Sequence, residues 1–263
     1  MLLLAVFGAP PVRAEEAKPV HILAAGSLTD AFADLLAAFH APADSIAPPV
    51  FGPSGVLRQR IEGGQAADLF ASADMTQPRR LAQAGKGWPV VMFVRNRMCL
   101  LARDQIGITP DTMLDRLLDP AVRLATSTPG ADPGGDYAWA VFAKAEKLHP
   151  GAEATLQAKA MKLVGGPDSK LLVPGHGAVA GVFLAGKADA MLGYCSGSAS
   201  VMKEVPGLVS VPVPPALSVG PAYGMIVLSA GPLAARFALF IMSEPGQAIL
   251  ARQGFDPVAQ AAN

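Results

Sequence analysis

Two serines set in short runs of small residues are the first positions able to do chemistry. Ser27 lies in Ala24-Ala25-Gly26-Ser27-Leu28-Thr29, after the apolar run His21-Ile22-Leu23. The residues that follow place Phe32, Leu35, Leu36 and Phe39 at helical spacing, so the stretch reads strand, tight turn, helix, with Ser27 or Thr29 at the N-cap. Ser54 repeats the pattern. Pro48-Pro49-Val50-Phe51 reads as a strand, Gly52-Pro53-Ser54-Gly55 as its turn, and Val56 to Glu62 as a helix stopped by Gly63-Gly64. A helix start exposes unpaired N–H groups and a partial positive charge, which together seat an anion. The same residues also serve as ordinary caps, and motifs this short do not decide between the two.

The elements that must hold these turns follow along the chain. Ala67 to Ala71 reads as a strand, followed by a helix from Gln77 to Ala84. Val90 to Val94 and Met98 to Ala102 are apolar strands that carry the chain towards a second lobe. Thr112 to Leu118 reads as a short helix, Arg123 to Thr126 as a strand, and Asp136 to Leu148 as a helix with Trp139, Val141, Phe142 and Ala145 apolar. Val179, Val182 and Phe183 mark another helix, Asp189 to Tyr194 a strand, Val209 to Val213 a return strand and Gly224 to Leu228 a further one. Leu233 to Met242 and Gly246 to Gln253 read as closing helices. Alternating strand and helix predicts an α/β fold with mostly parallel sheets. Ser27 and Ser54 then lie at the carboxyl ends of parallel strands, the edge where open α/β sheets bind ligands.

Composition narrows the function. The chain has 263 residues, 51% of them apolar, with 21 Lys plus Arg against 21 Asp plus Glu. That is enough for one large or two ordinary domains. The balance gives no basic field for nucleic acid, and Arg79-Arg80 is the one basic pair that stands out. Residues 1–14 end in Val12-Arg13-Ala14 after a short apolar run. They read as a signal peptide lacking a basic start, too short to span a bilayer, which predicts export as a soluble protein. Cys99 and Cys195 either pair or stay as buried thiols; sequence leaves both open. Two cysteines and four scattered histidines give no zinc spacing.

Other motifs fail on context. Gly181 to Ala188 nearly matches a phosphate-binding loop but lacks the closing Ser or Thr and follows no strand. Gly175, Gly177 and Gly181 miss the dinucleotide spacing, and no Gly-x-Ser-x-Gly elbow occurs. His21, His40, His149 and His176 stand in no evident triad order. No catalytic residue and no cofactor is expected.

Several stretches together resemble the molybdate-binding proteins of ABC importers, within the type II periplasmic binding proteins. They are the two serine turns, Ala66-Ala67-Asp68-Leu69-Phe70-Ala71-Ser72-Ala73-Asp74, Pro133-Gly134-Gly135-Asp136-Tyr137-Ala138, Gly193-Tyr194 and Pro245 to Phe255. The resemblance covers about residues 19–258. It implies two lobes, with residues 19–93 plus 210–263 in lobe I and 94–209 in lobe II, and a cleft between them. The implied ligand is a molybdate or tungstate oxyanion, held by the hydroxyls of Ser27 and Ser54, the backbone N–H groups of Gly134 and His176, and the Tyr194 hydroxyl. Neutral donors suit a buried dianion, which must regain a full shell of hydrogen bonds but also be released. The implied partner is a cognate inner-membrane permease, the implied location the periplasm and the implied state a monomer.

Three departures bear on the ligand. Gly134 stands where the family often has Ala, His176 where it often has an apolar residue, and Asp136 adds an acid in the first turn of a helix. The alternatives are the same fold binding sulfate, phosphate, an organic anion or a metal ion through Tyr194, Cys195 and His176, and an enzyme or sensor domain that borrowed the fold.

Overall fold

The computed structural model describes residues 18–259; the N-terminal run read as an export signal lies outside the described residues. In the first lobe β1 (Ile22–Ala25) leads through a turn at Gly26–Leu28 into α1 (Thr29–Phe39). β2 (Val50–Gly52), α2 (Ser54–Glu62), β3 (Leu69–Ser72), α3 (Thr76–Gln83) and β4 (Val91–Arg95) follow. All residues of β1 and β3 are buried, so these strands show no alternation because helices cover both faces. α1 buries Ala31, Phe32 and Leu35, and the Phe32 ring meets Phe51 and Phe237 edge-on at 6.5 and 5.9 Å.

The chain crosses at Asn96–Arg97 into β5 (Met98–Arg103). The second lobe continues with α4 (Met113–Leu118), β6 (Leu124–Ser127), α5 (Pro133–Leu148), α6 (Ala152–Lys159), β7 (Met161–Val164), α7 (Ala178–Leu184), β8 (Ala190–Tyr194), α8 (Ser198–Glu204) and β9 (Leu208–Pro212). Its core gathers Leu100, Leu124, Val141, Phe142 and Leu192. The chain then returns to the first lobe as β10 (Ala222–Val227), α9 (Pro232–Met242), α10 (Glu244–Arg252) and β11 (Asp256–Pro257).

The first sheet has the order β11-β4-β10-β3-β1-β2 and the second β7-β6-β8-β5-β9. Two α/β lobes are present, as expected, but the sheets are mixed rather than mostly parallel. β2, β1 and β3 are parallel, as are β7, β6 and β8. β10 runs antiparallel to β3 and β4, β11 to β4, and β5 to β8 and β9. β5 and β10, antiparallel within their sheets, are the strands by which the chain enters a sheet from the other lobe; β11 adds an antiparallel edge beside β4. A buried apolar strand carries no sequence mark of its direction. The crossings also fall later than the lobe ranges drawn from sequence: residue 94 still belongs to β4, and residue 210 lies within β9 of the second sheet. Cys99 and Cys195 form a disulfide with Cα atoms 4.9 Å apart.

Candidate functional site

A cavity of about 650 Å³ opens between the lobes, over the carboxyl ends of β1 and β2 on one side and β6 and β8 on the other. Ser27, Gly134 and Tyr194 line it together. Ser54 sits beneath its wall, between the lining residues Pro53 and Ala73, and is 1% exposed. His176 does not join the set.

Neither serine caps a helix. Ser27 lies in the turn Gly26–Leu28, and its Oγ is 2.9 Å from the Tyr223 hydroxyl. Asn96 Oδ1 accepts the Arg97 N–H at 2.8 Å, which orients the amide. Asn96 Nδ2 then donates to Tyr223 Oη at 3.1 Å and to Ser196 Oγ at 2.9 Å. Either hydroxyl can donate in the Ser27–Tyr223 pair; when Tyr223, supplied by Asn96, is the donor, the Ser27 hydrogen is left for a ligand. Ser54 is similar: its Oγ accepts the Ala73 N–H at 3.1 Å, and its own hydrogen stays uncommitted.

The lobes touch beside Ser54. The Gly55 N–H donates to Ala131 O at 2.9 Å. A Cβ on Gly55 would lie 2.8 Å from the carbonyl oxygens of both Gly130 and Ala131, so only glycine permits the contact.

In the second lobe Asp132 is the N-cap of α5 with Pro133 at the first helical position, and its Oδ1 accepts the Gly134 N–H at 3.0 Å. The backbone donor expected to meet an anion is thus held by a carboxylate. The far side of that carboxyl packs on Gly165, where a Cβ would fall 2.3 Å from Oδ2. Burial pushes the Asp132 carboxyl up to about 6, against the pull of the Gly134 N–H and the Ser127 hydroxyl; Asp136 and Asp74 add to the rise. Asp136 turns away to accept the Gly130 N–H at 2.8 Å, and burial raises its carboxyl too.

The Tyr194 hydroxyl is buried and has no hydrogen-bond partner among the described residues. Its ring stacks edge-on with Tyr137 and Tyr223 at 6.3 and 5.6 Å. Burial holds Tyr194 and Tyr223 well above the ordinary phenol range and Tyr137 at about 12. All three stay protonated, so Tyr194 is a neutral donor with nothing to donate to. His176 instead pairs its Nδ1 with Glu204 Oε2 at 3.0 Å, and its N–H meets Val173 O at 3.4 Å. His176 is not a lining residue of the cavity, whereas its partner Glu204 and the following Gly177 and Ala178 are. Cys195, spent in the disulfide, cannot ligate a metal. No cluster of three or more His, Cys, Asp or Glu suited to a metal ion occurs among the described residues.

Asp132, Ser127, Tyr223 and Asn96 are site residues that the sequence reading missed. Asp132-Pro133 is a recognisable helix start, and reading it would have put the carboxylate beside Gly134. Tyr223 and Asn96 carry no local signal, because only the crossing of the chain brings them to Ser27.

Two α/β lobes meeting over a hydroxyl-lined cleft make a solute-binding architecture. The chain belongs to the bacterial extracellular solute-binding proteins, whose family model matches residues 20–256. It is 39% identical over 186 residues, 70% of this chain and 77% of the other, to an uncharacterized protein of Pasteurella multocida (strain Pm70). Its fold resembles the sulfate-binding protein SubI from Mycobacterium tuberculosis H37Rv (TM-score 0.76, 20% identity, 92% of this chain and 87% of that one). It also resembles the periplasmic molybdate-binding protein of Azotobacter vinelandii (TM-score 0.71, 17% identity, 92% of this chain and all of that one). No helix among the described residues is long and apolar enough to cross a membrane.

Proposed function

We propose that this solute-binding protein captures a tetrahedral oxyanion, molybdate or tungstate, in the periplasm and delivers it to an ABC permease. The observation that carries the reading is the set of neutral donors at the cleft. The Ser54 hydrogen is uncommitted, the Ser27 hydroxyl is free to turn its hydrogen to a ligand while Tyr223 donates to it, and the buried Tyr194 hydroxyl lacks a partner. A dianion enclosed between the lobes needs such a shell, and donors without fixed charge let it go again. The two structural neighbours named above, one sulfate-binding and one molybdate-binding, support the ligand class. The cavity volume favours a second reading, an organic anion with one oxyanion head, because about 650 Å³ falls in the range of small-molecule pockets.

Isothermal calorimetry with molybdate, tungstate, sulfate and phosphate tests the proposal. Molybdate or tungstate should bind with a Kd of about 1 μM or tighter, near −8 kcal/mol, and sulfate far more weakly. Ser27→Ala and Ser54→Ala should each weaken binding by about 1–3 kcal/mol, since each leaves buried charge underpaired. A flat titration with both metal oxyanions rejects the reading.

A further inference from the structure

The cleft has far more room than a four-oxygen ion needs. At about 30 Å³ for each water-sized oxygen such an ion takes ~120 Å³, and the cavity measures about 650 Å³. The surplus has a definite wall. Leu101 on β5 stands opposite Met191 on β8, and both join Val164 at the end of β7 in one apolar cluster. Val179 on α7 and Val201 on α8 pack against that cluster and are only partly buried. All five line the cavity, as does Leu171 on the loop after β7, which is 61% exposed. Such side chains offer no hydrogen bond, whereas an ordered water needs about two to four. The space over them suits hydrocarbon and not a hydrated ion.

The donors stand apart from that wall. Ser27 Oγ and the Tyr194 ring both neighbour Tyr223, the first 2.9 Å from its hydroxyl and the second 5.6 Å from its ring. Side chains alternate between faces along a strand. Tyr194 thus leaves β8 on the opposite face from Met191, and the two pack against different clusters. Gly193, on the face of Met191, lines the cavity between them. A Cβ there would meet nothing within 4 Å, and the residue has no positive φ. Neither packing nor backbone demands a glycine. Its missing side chain leaves the way open from the Tyr194 end to the surface over Met191 and Leu101. The charged lining residues are engaged or in solvent: Asp132 caps α5, Glu204 holds His176 and the Gly177 N–H, and Asp30 and Lys170 are exposed.

We propose, resting on the oxyanion reading in its organic-anion form, that the cleft has two compartments. A polar one at Ser27 and Tyr194 takes the oxyanion head, and an apolar one, reached past Gly193, takes a short hydrocarbon arm. The ligand class this fits is a small organic phosphonate or phosphate whose chain carries no further polar group. An inorganic dianion needs donors on every side. A head group bonded to carbon needs them on its oxygen side alone, and the hydrocarbon wall receives the rest. Covering Leu171 and Val201 with the arm adds affinity that no hydrogen bond supplies.

The test is calorimetry at one pH with molybdate and with methyl-, ethyl-, propyl- and butylphosphonate. Each buried methylene should tighten binding about fourfold, so butylphosphonate should bind about tenfold or more tightly than methylphosphonate. Gly193→Leu fills the passage, and Val201→Asn sets an amide on the apolar wall. In variants that melt as wild type does, either change should cut that ratio to about threefold or less. Phosphonates that all bind wild type alike overturn the inference alone, as do folded variants that keep the wild-type ratio. Molybdate binding with no phosphonate binding also overturns it and leaves the oxyanion reading standing. Binding of neither molybdate nor any phosphonate overturns that reading and the two compartments with it.

Discussion

Replacing Tyr194 by Phe should move stability and binding in opposite directions. The substitution deletes one buried oxygen and keeps the ring, so the edge-on contacts to Tyr137 and Tyr223 survive. The deleted hydroxyl has no protein partner. Burying such a group costs about 1–3 kcal/mol that no hydrogen bond returns. Without ligand the variant should therefore be more stable than wild type by up to that amount, a rise in Tm of about 2–4 °C per kcal/mol for a chain of this size. With an oxyanion present the same hydroxyl donates to a charged oxygen, a bond of about 1.5–3 kcal/mol, so Kd should rise roughly 10- to 150-fold. Thermal melts with and without molybdate, together with calorimetry, give both numbers. Tyr137→Phe is the control: its hydroxyl accepts the Ala222 N–H at 3.3 Å, so its loss should destabilise the free protein by about 1 kcal/mol. If Tyr194→Phe lowers the Tm of the anion-free protein, or leaves molybdate affinity unchanged, the hydroxyl is not an unsatisfied ligand donor and the reasoning fails.

Gly55→Ala puts a methyl carbon 2.8 Å from two carbonyl oxygens of the other lobe. It should weaken oxyanion binding by tenfold or more, about 1.4 kcal/mol, with unfolding little changed; wild-type affinity would show that the lobes need not meet there. Reducing the Cys99–Cys195 bond, which closes a 96-residue separation, should cost about 2–5 kcal/mol in urea titrations, and an unmoved midpoint would count against a closed disulfide in solution. The raised Asp132 carboxyl makes a signed prediction. Its folded value of about 6 exceeds the ordinary 3.8, so the native state binds the extra proton and the gain, present below about 4, is lost as pH rises through about 6. The stability of wild type relative to Asp132→Asn should fall by at most about 3 kcal/mol over that window, and chemical denaturation at about pH 4 and pH 7 that shows no change would refute it.

The serine turns were legible because strand, small residues and helix succeed one another locally; Ser27 lines the cleft, and Ser54 sits buried beneath its wall. Their capping role was not: Ser27 turns to Tyr223, a residue 196 positions away. Strand direction was equally hidden, since β10 and β5 are apolar runs whose orientation depends on where the chain crosses. The stretch between residues 149 and 178 yielded no element from sequence. There α6 buries only Ala152 and Leu156, and β7 buries only Val164, leaving no strong periodicity to read. His176 was placed by resemblance; it bonds Glu204, 28 positions on, and is not itself a lining residue of the cavity.

The bond between Cys99 and Cys195 ties the strand that leaves the first crossing to the residue after Tyr194. It makes the root of that crossing and the tip of β8 one rigid lever, with the phenol at its end. Such a bond lasts only where thiols stay oxidised. Inside a reducing compartment the lever would come unpinned, and the phenol at its tip would lose that anchor.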